Sequence, residues 1–279
     1  MKKSGDIIFM SCHGRESAYD LRYIDTNKPK PLLVFCHGFK GFKDWGHFNL
    51  IADAFCNEGM IVLKFNFTFN GGTETSVIDF PDLESFAENN YLKELKDINH
   101  IIHLVKIKDI PLNNWNGQIF LLGHSRGGGM VTLAAAENND VSKIVSWAGI
   151  SDCVSRLPKE SELLEWKIKG VKKIKNGRTN QNMPMNYQFV ESLFQNRIRL
   201  SIEKACKIIN KPHLIIHGTE DEAVDLNEAT ALNIWSKKSE IEIIQGANHV
   251  FGGKHPWQEK FLPEHSIKAI DKTINFLID

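Results

Sequence analysis

The fold is decided by one stretch, IFLLGHSRGGGM, which runs from Ile119 to Met130. Its first four residues are apolar and predict a buried strand, and the alanine-rich segment after Met130 consists of good helix formers. Between strand and helix stands the pattern Gly-x-Ser-x-Gly, with Ser125 at its centre. In this context the pattern predicts a nucleophile elbow, a sharp turn that presents a serine hydroxyl at the end of a sheet. The flanking glycines fit this prediction because so tight a turn leaves no room for Cβ atoms.

Composition places the chain among ordinary globular proteins. Its 279 residues, 42% hydrophobic and 24% charged, are enough for one large α/β domain. Basic and acidic residues balance at 34 each, so nothing global predicts binding to nucleic acid or to a membrane surface. Five widely spaced cysteines without a C-x-x-C pair favour a reducing compartment. The first apolar run is too short for a signal peptide, so we expect a cytoplasmic protein.

Apolar runs and helical patterns alternate along the chain. Runs without polar alternation are typical of strands that are buried on both faces of a parallel sheet. After two short antiparallel strands at 6–11 and 18–25, these runs stand at 32–36, 60–65, 118–122, 141–148, 213–216 and 241–244. Further helical patterns occupy about 48–57, 84–107, 225–236 and 263–277, and the buried face predicted for the last is Ile267, Ile270, Ile274 and Leu277. The sequence therefore predicts an α/β fold with a mostly parallel, twisted sheet of about eight strands and helices on both faces.

One segment interrupts this alternation. Residues 152–205 show no strong strand pattern, and we predict that they form a lid or cap within a single domain of residues 1–279. Large apolar side chains of this segment either line an acyl or aromatic pocket or pack the lid on the core: Leu163, Leu164, Trp166, Met183, Met185, Tyr187 and Phe189. The basic run from Lys167 to Arg178 indicates a solvated face or, as a sharper hypothesis, a surface that attracts an acidic substrate.

The turn after strand 213–216 supplies the candidate acid. A serine needs a neighbouring base to become a nucleophile, and that base needs a third group to orient it. In this topology the chain order is serine, acid, histidine, and functional groups gather at the carboxyl ends of strands. Asp221 is the preferred acid, with Glu220 and Glu222 as alternatives, while Asp225 better suits the N-cap of the following helix.

The turn after the last strand supplies the candidate base, His249. His255 and His265 are its competitors, but both lie further from a strand end and beside prolines. His249 is favoured because its position after the final strand brings it to the same edge of the sheet as Ser125 and Asp221. The sequence thus predicts a triad of Ser125, His249 and Asp221.

Backbone N–H groups are the predicted oxyanion donors. A developing oxyanion needs such donors, and the N–H group of Arg126 directly follows the nucleophile. The second donor is expected from the turn after strand 32–36, where Phe39 follows His37 and Gly38. No glycine-rich phosphate loop with a lysine is present in the sequence.

We also predict no metal site. His100 and His103 stand three residues apart on a helical pattern, but no acidic residue or cysteine accompanies them at ligand spacing.

Taken in order, these motifs resemble those of the α/β-hydrolase superfamily. The resemblance rests on the pair His37-Gly38, the elbow 123–127, the turn 217–224 and the stretch 246–249, which together span almost the whole chain. Within the superfamily the chain is similar to esterases of the dienelactone hydrolase and prolyl-oligopeptidase-like branch. Dienelactone hydrolases proper use a cysteine nucleophile, whereas position 125 is serine. The resemblance implies an α/β-hydrolase fold, no cofactor, and a serine hydrolase that cleaves carboxylic esters through an acyl-enzyme.

Two other functions stay open at this point. An aminopeptidase or acyl-peptide hydrolase of the same fold would need acidic residues to hold a substrate amine, and the cluster at 160–165 is the one hint of them. A hydrolase-fold binding protein without turnover is the third candidate, although such proteins commonly lack one member of the triad. We expect a small-molecule ester as the partner, no nucleic acid and no membrane, and we leave a homodimer open.

Overall fold

The structure is a computed structural model that describes residues 1–278. Its strands are β1 (Lys2–Met10), β2 (Glu16–Tyr23), β3 (Lys30–Cys36), β4 (Ile61–Phe65), β5 (Trp115–His124), β6 (Val141–Trp147), β7 (Val171–Lys175), β8 (Asn182–Asn186), β9 (His213–Gly218) and β10 (Ser239–Ile244). Eight of them form one sheet in the order β1-β2-β4-β3-β5-β6-β9-β10, and β7 pairs with β8 in a separate hairpin. β2 pairs antiparallel with both β1 and β4. The strands β4, β3, β5, β6, β9 and β10, in this order across the sheet, run parallel to one another.

Helices cover both faces of this sheet. They are α1 (Phe48–Asn57), α2 (Leu83–Ala87), α3 (Tyr91–Lys106), α4 (Arg126–Glu137), α5 (Glu160–Lys169), α6 (Gln188–Gln195), α7 (Ile202–Ile208), α8 (Leu226–Trp235) and α9 (Glu264–Ile278). In β3, Leu32 and Val34 belong to the hydrophobic cluster that includes residues of α3 and α4, whereas Leu33 and Phe35 belong to the cluster on the other face, which includes residues of α1. Both faces of the strand are therefore buried, as its unbroken apolar sequence requires. This architecture confirms the predicted α/β-hydrolase fold.

The predicted helix over 84–107 is two helices. The side chain of Asn90 caps the second one, accepting a hydrogen bond from the N–H group of Lys93 at 2.9 Å. Asparagine side chains compete for backbone hydrogen bonds, so the pair Asn89-Asn90 favours a break between two helical segments. The prediction overlooked this signal because the apolar spacing continues across the break.

The predicted burial of α9 is wrong at one position. Ile267 is 44% exposed, and the helix instead buries small residues such as Ser266, Ala269 and Thr273 together with Ile270. Small side chains let the helix approach the sheet closely, and the indole of Trp147 in β6 donates to Thr273 Oγ1 at 3.0 Å. A pattern that counts only large apolar residues therefore misses the small side chains of the buried face and includes Ile267 wrongly.

The segment 152–205 does contain strands. Its hairpin of β7 and β8 lies between α5 and α6, contrary to our expectation of no strong strand there. The sequence of β7, VKKIK, is short and mostly lysine, so the strand is only half-buried and lacks the apolar run of the central strands. Charged side chains on such a two-stranded sheet also protect its exposed edges.

Buried charges connect the antiparallel edge of the sheet to the loop after β3. The side chains of Lys43 and Lys64 are each 1% exposed. Lys64 Nζ lies 3.0 Å from an oxygen of Asp20 and 2.6 Å from one of Asp44, and Lys43 Nζ lies 2.6 Å from the other oxygen of Asp20. Burial alone lowers the pKa of Lys64, so these carboxylates are what keep its ammonium group charged. The network fixes the loop that follows residue 37.

We predict that Asp20→Asn lowers the free energy of unfolding by about 3 kcal/mol, because it leaves two buried ammonium groups short of a carboxylate. Urea unfolding followed by circular dichroism measures this. The matched control is Asp140→Asn, which breaks an exposed pair with Lys106 and should change stability little. Equal effects of the two substitutions would contradict a structural role for the buried network.

Candidate active site

The turn between β5 and α4 has the strained geometry of a nucleophile elbow. Ser125 adopts φ 59° and ψ −123°, a conformation that costs energy for any residue with a Cβ atom. Its N–H group donates to the carbonyl of Trp147 in β6 at 2.8 Å, and its carbonyl accepts from Gly128 N at 2.9 Å. The surrounding backbone thus holds Ser125 in a position that it would not adopt alone.

Two glycines make this turn sterically possible. A Cβ atom added to Gly123 would lie 2.6 Å from the backbone nitrogen of Gly128, and one added to Gly127 would lie 2.6 Å from the carbonyl oxygen of His37. Real Cβ atoms do not approach backbone so closely. The start of α4 therefore packs backbone to backbone against the end of β3.

The structure brings the three side chains of the predicted triad together. His249 Nδ1 lies 2.8 Å from Asp221 Oδ2, and His249 Nε2 lies 2.9 Å from Ser125 Oγ. Because a carboxylate accepts hydrogen bonds, Nδ1 carries the proton and Nε2 presents its lone pair to the serine hydroxyl. Asp221 follows β9, His249 follows β10 and Ser125 follows β5, and the carboxyl ends of these strands lie at one edge of the sheet.

Asp221 is held ionised although its side chain is only 1% exposed. Burial by itself would raise its pKa, but hydrogen bonds from His217, His249 and the N–H group of Val224 outweigh that effect and hold the pKa well below its usual range. Oδ1 accepts from the N–H groups of Ala223 and Val224, each at 2.8 Å. The carboxylate can therefore orient His249 without taking up a proton.

Two further histidines support the site and were given no role in the sequence analysis. His217 Nε2 lies 2.8 Å from the carbonyl of Val224 and 3.2 Å from Asp221 Oδ2, so this nitrogen must carry a proton. His124 Nε2 lies 2.8 Å from the carbonyl of His249 and ties that residue to the elbow. Burial lowers the pKa of His124 to about 3, so the ring is neutral and donates from Nε2. The signal was their position, because each is one of the last two residues of a central strand.

The alternative acids lie elsewhere. Glu220 and Glu222 are exposed, and Asp225 caps α8 by accepting from Asn227 N at 2.8 Å.

The competing histidines have other partners or neighbours. His255 Nδ1 accepts from the N–H group of Gly46 at 2.8 Å, and His265 lies beside Gly246.

Ser125 lies between two cavities. The first, here the histidine-side chamber, has a volume of about 370 Å³ and is lined by Gly38, Phe39, Lys40, Gly41, Trp45, Phe48, His124, Ser125, Asn176, Arg178, His249, Val250, Gly253, Lys254 and His255. The second, here the insert-side chamber, has a volume of about 280 Å³ and is lined by Phe39, Tyr91, Ser125, Arg126, Ile150, Arg156, Leu157, Pro158, Trp166, Lys172, Ile174, Met185, Phe189, Ala223 and Val224. Phe39 and Ser125 are common to both, so the space beside the serine extends to either side of it.

Some of the large apolar residues of the segment 152–205 line the insert-side chamber, and others pack in the core. Trp166, Met185 and Phe189 line the insert-side chamber, while Met183 is buried in the core. Leu164 is 58% exposed, and Leu163 and Tyr187 pack partly buried against the core.

Phe39 and Arg126, the predicted oxyanion donors, both border Ser125. Across residues 1–278, neither N–H group donates to a protein acceptor. The guanidinium of Arg126 lies 3.8 Å from the ring centre of Phe39 and 3.2 Å from Glu94 Oε1. This contact holds the loop after β3 beside the N-terminus of α4.

Two groups of metal-binding side chains occur among the described residues, and neither includes a triad member. Asp6, Asp20 and Asp44 form one group, but Lys43 Nζ already bonds to all three. In the other group, Cys12, His13 and Asp97, both carboxylate oxygens of Asp97 accept hydrogen bonds from Thr68. In both groups, therefore, carboxylate oxygens that could ligate a metal are already engaged by protein groups.

Fold and site together define the chain as an α/β hydrolase. Its sequence matches the family model "Prolyl oligopeptidase family" over residues 47–264, most of the chain. The chain therefore belongs to the prolyl oligopeptidase family, and the predicted resemblance is confirmed.

Individual known proteins are also similar to the chain in sequence or in structure. The chain is 25% identical over 246 residues to a "Monoglyceride lipase homolog" of Monkeypox virus, which covers 79% of this chain and 82% of that protein. The solved structure of Est1E from Butyrivibrio proteoclasticus with ferulic acid superposes with a TM-score of 0.74 at 20% identity, over 98% of each chain. The monoacylglycerol lipase of Paleococcus ferrophilus gives a TM-score of 0.65 at 17% identity, over 93% of this chain and 99% of that one. At these identities the two structures establish a common fold.

Among residues 1–278, no helix combines the length and the apolar character needed to cross a membrane.

We predict that Gly127→Ala lowers the free energy of unfolding by about 3 kcal/mol or more, because the new methyl group meets backbone that cannot move aside. Urea unfolding measures the change. Gly177→Ala is the matched control, since an added Cβ at that position meets nothing within 4 Å. A stable Gly127→Ala protein would show that α4 does not pack against β3 as described.

Proposed function

We propose that the protein is a serine hydrolase that cleaves carboxylic esters through a covalent acyl-enzyme. The observation that carries this proposal is the unbroken line of hydrogen bonds from Ser125 Oγ through the ring of His249 to Asp221. A serine hydroxyl is a weak nucleophile by itself, and this arrangement supplies both a base and a group that orients the base.

In the first half of the reaction, His249 Nε2 takes the proton of Ser125 as Oγ attacks the ester carbonyl. The imidazolium that forms is stabilised by Asp221, which stays ionised because of its own hydrogen-bond donors. The N–H groups of Phe39 and Arg126 donate to the oxyanion of the tetrahedral intermediate. His249 then gives its proton to the leaving alcohol, and an ester of Ser125 remains.

In the second half, water enters where the alcohol has left. His249 takes a proton from this water, which attacks the acyl carbonyl, and the same N–H groups stabilise the second oxyanion. Collapse of the intermediate returns the proton to Ser125 Oγ and releases the carboxylic acid. No other group on the protein is required.

The names of similar proteins support ester substrates. The viral relative is named a monoglyceride lipase homolog, and the solved Est1E structure holds ferulic acid. An aminopeptidase is disfavoured, because across residues 1–278 neither chamber beside Ser125 is lined by an aspartate or a glutamate. Glu162 and Glu165, from the acidic cluster at 160–165, line a neighbouring groove that shares Trp166 and Lys172 with the insert-side chamber but does not include Ser125.

We predict that Ser125→Ala abolishes hydrolysis of p-nitrophenyl acetate, because it removes the nucleophile and leaves the packing of the elbow unchanged. Release of p-nitrophenolate measures the activity, and circular dichroism verifies the fold. A fluorophosphonate probe should label the parent protein and not the variant. Full residual activity would refute the assignment, and a parent protein that neither turns over nor takes the label would favour a binding protein.

We predict that His217→Phe lowers kcat/KM for the same ester about tenfold, because Asp221 loses a hydrogen bond to its charged form. His213→Phe is the matched control. It places the same change in the same strand, but its ring nitrogens contact Ser146 and Ser236 rather than the triad. Equal losses in both variants, at equal stability, would contradict a positioning role for His217.

A further inference from the structure

The charges around Ser125 are one-sided although the chain as a whole is neutral. Six cationic residues line the two chambers: Lys40, Arg126, Arg156, Lys172, Arg178 and Lys254. Within residues 1–278 no carboxylate side chain lines either chamber. This differs from the chain as a whole, which has 34 acidic and 34 basic residues. Chambers lined by one sign of charge raise the local concentration of substrates with the opposite sign.

Each cation of the insert-side chamber forms an ion pair with a carboxylate that does not itself line the chamber. Arg126 Nη1 lies 3.2 Å from Glu94, Lys172 Nζ lies 3.0 Å from Glu162, and Arg156 pairs with Glu228. Each positive charge in this chamber thus has its own carboxylate, and the remaining wall is aromatic and aliphatic. Such a chamber suits an uncharged group.

The histidine-side chamber differs in this respect. Its Arg178 pairs with Asp79, but the ion pairs found across residues 1–278 include neither Lys40 nor Lys254. Lys40 directly follows the oxyanion residue Phe39, and Lys254 lies five residues beyond His249. Two positive charges without a carboxylate partner therefore lie in the chamber that His249 lines.

The proposed reaction determines which part of an ester enters which chamber. The leaving alcohol must lie beside His249, because that ring protonates its oxygen. The alcohol therefore occupies the histidine-side chamber, and the acyl group occupies the insert-side chamber. From the proposed esterase function and these charges, we infer that the substrate is an ester with an uncharged acyl group whose alcohol part carries a carboxylate or a phosphate, held by Lys40 and Lys254.

Isosteric pairs of esters test this inference. On the leaving-group side, 4-acetoxybenzoate is compared with the neutral 4-acetoxybenzamide, and 4-acetoxyphenyl phosphate provides the phosphate arm. On the acyl side, the p-nitrophenyl monoester of glutarate is compared with that of glutaramate. Each kcat/KM is divided by the rate of hydroxide hydrolysis of the same ester, which removes differences in intrinsic reactivity.

We expect the charged leaving group to be preferred about tenfold, since two partly exposed charge pairs each contribute a few-fold at most. The better of the two anions identifies the natural group. Lys40→Gln/Lys254→Gln should bring the ratio near one, and Lys40→Arg/Lys254→Arg should restore it. Salt at about 0.5 M should also reduce it, because screening weakens exposed pairs. On the acyl side, the charged and neutral esters should react alike.

The matched control is Lys173→Gln/Lys175→Gln, which removes the same charge from lysines that line neither chamber. It should keep the preference of the parent protein. Turnover of the neutral esters without a preference for the charged leaving group would overturn the inference and leave the esterase function standing. A preference for the charged acyl group, or an equal loss in the control, would overturn it as well. Absence of turnover of every ester would overturn the proposed function first.

Discussion

The structure depends on one steric constraint, the close approach of the start of α4 to the ends of β3 and β5. Gly123 and Gly127 allow this approach, because any side chain at either position would overlap backbone. The approach forces Ser125 into a left-handed conformation, and a hydrogen bond from its N–H group to the carbonyl of Trp147 holds it there. It also places the loop after β3, with Phe39, beside the N-terminus of α4. Ser125 and the N–H groups of Phe39 and Arg126 therefore lie close together as a consequence of backbone packing.

The second requirement of the site is electrostatic, because the carboxylate of Asp221 must stay charged although it is buried. Asp221 is buried, and an unpaired buried carboxylate would take up a proton. Backbone N–H groups and His217 supply enough donors to keep it ionised, so its field fixes the tautomer of His249. His124, neutral at physiological pH because burial lowers its pKa to about 3, anchors the backbone of the same loop without adding a competing charge. The site thus contains one ionised acid, Asp221, and a neutral His124.

The parts of the molecule that were predictable are those governed by local rules. Unbroken apolar runs marked the central strands, and strand ends marked Ser125, Asp221 and His249 as residues that would meet, which the geometry now shows. The break at Asn89-Asn90 and the small buried residues of α9 were not predicted, because capping and the close packing of small residues leave little trace in a hydrophobic pattern. The hairpin of β7 and β8 was not predicted because β7 is short and mostly lysine and so lacks an apolar run. The support of Asp221 by His217 depends on a turn geometry that spacing does not encode.

The central claim is that Ser125 carries the acyl group during turnover. The most direct measurement is rapid acid quenching of the protein during turnover of p-nitrophenyl acetate, followed by peptide mass spectrometry. The account predicts the mass of one acetyl group on the peptide that contains Ser125, formed within the first turnover and removed as substrate is exhausted. Steady turnover with no acyl group on that peptide, or with the group on another residue, would contradict it.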